Sequence, residues 1–186
     1  MQPSKKPKQA RRPDPAPLSH LDAEGAARMV DVSGKGETFR TALARAVVTL
    51  GPRAFPALDA SENRKGDALA VARIAGIQAA KRTAEWIPLC HPLLFDAVSV
   101  SFRRVASRRA VEITAEVRGT GKTGYEMEAM VAVTAAALAL YDMCKAADKG
   151  IVIGPVELVA KSGGKSGTWT KPRNAEGAPK GRGRAR

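Results

Sequence analysis

The sequence is poor in the residues that build disulfide frameworks, metal centres and aromatic cores. Its 186 residues include two cysteines, two histidines and 4% aromatic residues. Two cysteines in apolar surroundings argue against the disulfide framework of a small secreted domain. The residues available to zinc lack the spacing of a four-ligand site, so we expect no metal centre; they are His20, Cys90, His91 and Cys144. The core must be built from Ala, Val, Leu and Ile.

Long uncharged apolar runs are also missing. A membrane-spanning helix needs roughly 18 or more predominantly apolar residues, and no uncharged run in this sequence reaches that length. The basic N-terminus is followed by Pro and Ala, which do not form the apolar core of a signal peptide. We therefore expect a cytoplasmic protein without membrane contact, and the chain is long enough for one domain with a sizeable core.

The net charge of +13 is concentrated at the two ends of the chain. Residues 1–17 carry a net charge of +4 and residues 171–186 carry +5, so the body is only mildly basic. Both ends are rich in Pro, Gly, Lys and Arg without apolar periodicity, which predicts disordered tails around a catalytic domain at residues 18–170. Such tails bind phosphate backbones non-specifically, and polyanion binding through the tails is one alternative function.

Hydrophobic periodicity predicts a domain of the α+β class. Period-two alternation predicts a hairpin of strands at residues 97–105 and 110–118, and a last strand at residues 151–159. Further elements are a strand at 28–32 and helices at 37–50, 55–60, 67–86 and 125–149. This order is typical of a ferredoxin-like sandwich, with a mainly antiparallel four-stranded sheet packed against helices.

Asp142 and Lys145 form a charged pair at the end of the last predicted helix. At a spacing of three residues, the carboxylate and the ammonium project from one helix face. We expect the apolar neighbours Met143 and Cys144 to raise the pKa of Asp142 by desolvation while Lys145 lowers it. Opposed effects of this kind suit a proton-transfer group, and a solvated surface ion pair is the alternative.

Lys65 and His91 are two further candidates. Lys65 precedes Asp67, the predicted N-cap of a helix, where free backbone amides favour an anion. A bound phosphate or carboxylate and an ordinary loop lysine both remain open for Lys65. His91 lies between Pro88 and Pro92, which keep the segment out of a helix, and it is suited to orient a polar ligand or to move a proton near neutral pH.

Two glycine-rich segments contain Gly-Lys-Thr and Gly-Lys-Ser, but neither is a P-loop. The first glycine of that motif would fall on Glu116 and on Val159. Flexible glycine backbone beside Lys122, Lys161 and Lys165 can still surround an anion, with plain basic turns as the alternative.

Glu128 and Asp142 lie too far apart to share one small pocket within a chain. They are 14 residues apart, which is about 21 Å along a continuous helix. Either Glu128 is structural or the pocket is assembled from two subunits. We favour the second, because the small apolar residues of this helix suit burial between chains.

Eight segments together carry a resemblance to the MoaC family of molybdenum cofactor biosynthesis. The segments are 29–32 (MVDV), 65–67 (KGD), 72–83 (ARIAGIQAAKRT), 87–92 (IPLCHP), 120–124 (TGKTG), 126–129 (EMEA), 141–145 (YDMCK) and 160–167 (AKSGGKSG). The resemblance covers roughly residues 19–167, and both basic tails lie outside it.

The resemblance implies a ferredoxin-like subunit in a homohexamer of three dimers, with active sites between subunits. The implied reaction is a lyase reaction that converts 3′,8-cyclo-7,8-dihydroguanosine 5′-triphosphate to cyclic pyranopterin monophosphate and diphosphate, without a redox cofactor. Asp142 is the implied acid/base, with Lys145 and Lys65 beside it. The implied substrate-binding residues are Leu89, Cys90, His91, Met127, Glu128 and Lys161. A scaffolding oligomer without chemistry is the other alternative, disfavoured because the charged site residues are all present.

Overall fold

The structure is a computed structural model and describes residues 24–58 and 65–172. The predicted tail at residues 1–17, nearly all of the tail at 171–186 and the end of the predicted helix at 55–60 lie outside these ranges. The elements are β1 (Thr38–Thr49), α1 (Gly51–Ala54), α2 (Ala68–Ala80), α3 (Thr83–Trp86), β2 (Ala97–Val105), β3 (Ala110–Gly121), α4 (Glu126–Cys144), β4 (Val152–Ser162) and β5 (Trp169–Thr170).

The strands form one antiparallel sheet in the order β2-β3-β1-β4-β5. The central strand β1 pairs with β3 along its whole length and with β4 on its other side. The first four strands in this order, with α2 and α4 as crossovers, have the arrangement of a ferredoxin-like split βαβ fold. The predicted α+β class is confirmed, and β5 adds a fifth strand at the sheet edge.

The predicted helix at residues 37–50 is wrong, because this segment is the strand β1. Ala42, Ala44, Ala46 and Val48 are fully buried and lie two residues apart, which is the period of a strand. Its apolar residues fit both periods, since Phe39, Leu43, Ala46, Val47 and Leu50 also recur at helical spacing. Pairing with strands on both sides favours the extended form over the local preference for helix.

Other boundaries also differ from the predictions. Residues 28–32 do not form a strand, and the predicted helix at 67–86 is divided into α2 and α3. Helix α4 ends at Cys144, five residues before the predicted end at 149. The predicted hairpin is confirmed as β2 and β3, joined by a 3-10 turn at Ala106–Arg108.

The two long helices pack closely on one face of the sheet. A Cβ atom at Gly76 in α2 would stand 2.8 Å from the backbone oxygen of Ala132 in α4, so glycine permits the approach. Among the described residues, the buried core consists mainly of Ala, Val, Leu and Ile, with Tyr125 as its one aromatic member; the Tyr125 hydroxyl donates to the oxygen of Leu94 at 3.1 Å. The short side chains of the core allow the helices to lie close to the sheet.

Within the described residues, α4 alone has the length and hydropathy to cross a membrane, with 19 residues and a mean hydropathy of 1.4. It packs on β1, β3 and β4 and against α2. Most of α4 is buried by these contacts, which is the pattern of a core helix in a globular domain.

Candidate active site

Asp142, Lys145 and Lys65 meet at the C-terminal end of α4, and we call them the lysine-aspartate cluster. Lys145 Nζ lies 2.6 Å from Asp142 Oδ1, as their spacing on the helix predicts. Lys65 Nζ lies 3.1 Å from Asp142 Oδ2 and also donates to the backbone oxygen of Asp142 at 2.8 Å. The carboxylate is therefore held between two ammonium groups.

Antiparallel packing of α2 on α4 brings Lys65 to this cluster. Asp67 is the N-cap of α2, where its Oδ1 accepts hydrogen bonds from the backbone N–H groups of Leu69 and Ala70, both at 3.0 Å. The predicted N-cap is thus confirmed. The start of α2 lies beside the end of α4, so Lys65 binds the side chain and backbone of Asp142.

The two lysines set the charge of Asp142. Hydrogen bonds and charge from Lys145 and Lys65 hold the pKa of Asp142 below its ordinary value, while Asp142 raises the pKa of Lys145. The Asp142 side chain is 56% exposed, and desolvation is the weakest of the effects on it. The two expected directions are confirmed, but charge outweighs desolvation: Cys144 points into the core, whereas Asp142 faces solvent and is ionised.

A second group of predicted residues lies around the N-terminal end of α4. The pocket there has a volume of about 360 Å³, and its wall includes Leu89, Cys90, His91, Met127 and Glu128. We call it the Glu128 pocket. The Ile87–Pro92 segment supplies one side of it and the first turn of α4 the other. Val30 and Val32 close it from the N-terminal segment.

Glu128 is the unusual acid of this pocket. Its side chain is buried, with 3% of the residue exposed. Burial raises the pKa of Glu128 to about 7, and the nearby charge of Glu126 adds to the increase. Burial also raises the pKa of the Cys90 thiol. Glu128 can therefore take up and release a proton near neutral pH.

A strongly basic pocket of about 390 Å³ adjoins the Glu128 pocket, and we call it the lysine pocket. Its wall includes Lys35, Arg40, Lys122, Lys161 and Lys165. The two pockets share part of their walls, namely Lys35, Thr123, Gly124 and Glu126. An anion in the lysine pocket can therefore belong to the same ligand as a group in the Glu128 pocket.

Two residues of the lysine pocket, Lys35 and Arg40, are not among the predicted site residues. Arg40 falls in the predicted helix at residues 37–50 but lies on β1, where its Nε donates to the oxygen of Gly121 at 2.9 Å and its Nη2 to the oxygen of Lys122 at 3.2 Å. Lys35 lies in the preceding loop. Neither stands in a motif with an anion-binding spacing, so only correct pairing of β1 with β3 would have found them.

The structure does not bring the two groups of predicted residues together within one chain. Helix α4 is continuous from Glu126 to Cys144, so Glu128 and Asp142 are about 21 Å apart along its axis. Lys65, Asp142 and Lys145 lie at one end, whereas His91, Glu128 and Lys161 lie at the other. Among residues 24–58 and 65–172, no cluster of three or more His, Cys, Asp and Glu side chains is placed to bind a metal.

Comparison with known proteins gives a family and several close relatives. The model of the MoaC family matches residues 29–164. Cyclic pyranopterin monophosphate synthase of Pelotomaculum thermopropionicum is 54% identical over 154 residues, which cover 83% of this chain and 91% of the relative. The enzymes of the same name from Novosphingobium aromaticivorans and Roseiflexus castenholzii are 54% and 56% identical, over 82% and 81% of this chain and 96% and 95% of the relatives.

Proposed function

The chain belongs to the MoaC family, and from this premise we propose that it is a cyclic pyranopterin monophosphate synthase of molybdenum cofactor biosynthesis. This lyase converts 3′,8-cyclo-7,8-dihydroguanosine 5′-triphosphate to cyclic pyranopterin monophosphate and diphosphate. The observation that carries the proposal is the junction of the Glu128 pocket with the lysine pocket. A half-enclosed pocket beside a basic one matches a purine-derived ring system attached to a triphosphate.

The lysine pocket has the charge to hold the triphosphate. Four lysines and an arginine line it, and such clusters neutralise the negative charge that grows as diphosphate leaves. Glycine-rich backbone at residues 119–124 and 163–167 gives these side chains a close approach to the ligand. Lys161 thus has the role of a substrate-binding residue.

The Glu128 pocket is suited to the ring system of the substrate. Leu89, Cys90, His91 and Met127 form its wall, and Glu128 supplies a carboxyl group that exchanges its proton near pH 7. Opening and closing rings on the purine and the ribose requires such proton transfers. The rearrangement is internally balanced, so we assign no redox cofactor.

Asp142 is the acid/base of the proposed site, and Lys145 and Lys65 fix its charge and position. Because Asp142 lies about 21 Å from Glu128 in the same chain, we assign each active site to two subunits of a homohexamer built as a trimer of dimers. Exposed apolar residues on α2 and α4 support burial between chains; they are Val71, Ile74 and Leu138. We place the reaction in the cytoplasm, in keeping with two free cysteines.

Turnover of the cyclised dihydro-GTP tests the proposal directly. The full chain and a variant limited to residues 18–172 are supplied with this substrate without oxygen, and diphosphate is measured together with the fluorescent oxidation product of the pterin. The variant keeps Lys171, because its Nζ pairs with Glu157 and its N–H donates to the oxygen of Val159 at 2.8 Å. We expect product from both proteins.

The same experiment separates the alternatives. Assembly without product from either protein would refute the synthase and leave a scaffolding oligomer. Binding of nucleic acid that is lost with the tails, in a protein that makes no product, would support polyanion binding as the function.

A further inference from the structure

Glu126 is the only acidic residue among the described residues that line the lysine pocket. Its Oε1 lies 2.7 Å from Lys161 Nζ, and the two side chains are 28% and 31% exposed. Glu126 also lines the Glu128 pocket, so its carboxylate stands at the junction of the two pockets. A carboxylate in this position pairs with Lys161, one of the cationic side chains that would otherwise bind a phosphate group.

The backbone next to Glu126 is shaped around this carboxylate. A Cβ atom at Gly124 would collide with Oε2 of Glu126, and the nearest other atoms it would meet belong to the same carboxyl group. Glycine therefore leaves the space into which the Glu126 side chain folds back. Residue 124 has an ordinary backbone conformation, so this glycine is explained by space and not by a positive φ.

The charges of the pocket explain why a counter-anion is useful. Five cationic side chains that share one pocket repel one another, and a carboxylate that pairs with one of them reduces the repulsion. A triphosphate brings several negative charges and can replace a single carboxylate, whereas one phosphate group is a weaker competitor. After cleavage, the carboxylate competes with the departing diphosphate for Lys161.

We propose that Glu126 is a built-in counter-anion of the lysine pocket, displaced from Lys161 by the polyphosphate of the substrate and restored as diphosphate leaves. This inference rests on the proposed function and makes Glu126 a specificity-determining residue for polyphosphate over phosphate. It also links the two pockets. When Lys161 turns to the substrate, the charge of Glu126 is no longer neutralised, and its effect on the pKa of Glu128 grows in the direction that keeps Glu128 protonated.

Calorimetric titration with inorganic phosphate, pyrophosphate and tripolyphosphate tests the proposal. The full-length wild type is compared with Glu126→Gln and with Glu116→Gln, which removes one negative charge from an exposed position on β3 outside the lysine pocket. We expect Glu126→Gln to bind pyrophosphate and tripolyphosphate about 5-fold more tightly and inorganic phosphate by a larger factor, so that the preference for polyphosphate falls, and Glu116→Gln to match the wild type. In turnover, Glu126→Gln lowers both KM and kcat, because diphosphate leaves more slowly.

A double-mutant cycle distinguishes displacement of the ion pair from a general change in the electrostatic field. In a Lys161→Met background, displacement predicts that Glu126→Gln changes tripolyphosphate affinity by less than about 2-fold. A field effect would persist at about 5-fold in that background and would overturn the proposal, as would unchanged or weaker binding by Glu126→Gln alone. Glu126→Asp, which keeps the charge on a shorter side chain, is expected to fall between Glu126→Gln and the wild type.

The wild type separates failure of this inference from failure of the proposed function. A wild type that turns over the substrate and binds tripolyphosphate, with no gain in Glu126→Gln, would refute only the counter-anion. A wild type that binds no tripolyphosphate and makes no product would refute both the assigned phosphate site and the inference that depends on it.

Discussion

The two ends of α4 carry acids whose charge is set in opposite ways. Glu128 is 3% exposed and has a pKa of about 7, whereas the side chain of Asp142 is 56% exposed and has a pKa below its ordinary value. Burial dominates at the first acid, and two lysines dominate at the second. One helix therefore holds a carboxyl group that is protonated in part at neutral pH and a carboxylate that is ionised at neutral pH.

From this contrast we propose how proton transfer is divided between Glu128 and Asp142. A group with a pKa near the working pH can gain or lose a proton during turnover. A carboxylate between two ammonium groups is a poor acid in the free enzyme, so Asp142 acts first as a base or as an anchor for Lys65 and Lys145. Since the two acids are about 21 Å apart in one chain, the proposed intersubunit site places the two roles on different subunits.

The largest expected effect comes from removing each acid in turn and then mixing the variants. Asp142→Asn and Glu128→Gln should each lower turnover at least about 100-fold, because an amide cannot carry the proton. If each site takes Asp142 from one subunit and Glu128 from its partner, a 1:1 mixture should regain about a quarter of wild-type turnover. In such a mixture, half of the dimer interfaces join one chain of each variant. One of the two sites at each of these interfaces keeps both Asp142 and Glu128, so a quarter of all sites are intact.

The control for this experiment is a mixture of separately assembled variants that are not allowed to exchange subunits. Co-expression or refolding of the two chains together supplies the mixed assembly, and size measurements check that every sample assembles equally. No recovery in a fully mixed assembly would mean that both acids serve the same chain and would refute intersubunit sites.

The two ends also differ in how well the sequence predicts them. The spacing of Asp142 and Lys145, the N-cap at Asp67 and the alternation of β2 and β3 are local patterns, and all three are confirmed. The contact of Lys65 with Asp142 depends on how α2 packs against α4, and sequence spacing alone does not give it.

The errors arise where distant parts of the chain determine the structure. Residues 38–49 form a strand because two neighbouring strands pair with them, although the spacing of their apolar residues also fits a helix. Because the sequence predicts a helix here, it does not predict that Arg40 lines the lysine pocket. The small effect of desolvation on Asp142 also depends on packing, because its apolar neighbours Met143 and Cys144 point to the other side of the helix, into the core.

The second prediction separates the two ends by the pH dependence of stability. Between the unfolded pKa of Glu128, 4.5, and its folded pKa of about 7, the folded state keeps the proton and the unfolded state does not. The free energy of unfolding of the wild type should therefore fall as pH rises through this range, by up to about 3 kcal/mol from this group. Glu128→Gln removes this decrease, so its stability relative to the wild type should grow from pH 4.5 to pH 8.

Urea unfolding at fixed protein concentration measures this difference, since assembly makes stability depend on concentration. Asp142→Asn is the matched variant at the other end. The lowered pKa of Asp142 adds to the free energy of unfolding at pH values above 3.8, its ordinary pKa, and this contribution is lost as the pH falls below that value. Its dependence on pH is therefore opposite to that of Glu128. Parallel pH profiles for Glu128→Gln and the wild type would contradict a raised pKa at Glu128.

The smallest expected effect is on the stability of the exposed end. In Lys145→Met, Asp142 loses its strongest partner but keeps Lys65, so its pKa should rise towards the ordinary value without reaching it. The melting temperature should change by no more than about 2 °C, because ion pairs between exposed side chains contribute little to folding. Carboxyl NMR titration of Asp142 measures the pKa, and calorimetry measures the melting temperature. A large loss of stability with an unchanged pKa of Asp142 would mean that Lys145 supports the fold and does not set the charge of Asp142. The two ends of α4 would then not differ in the way described, because charge from Lys145 would not determine the pKa of Asp142.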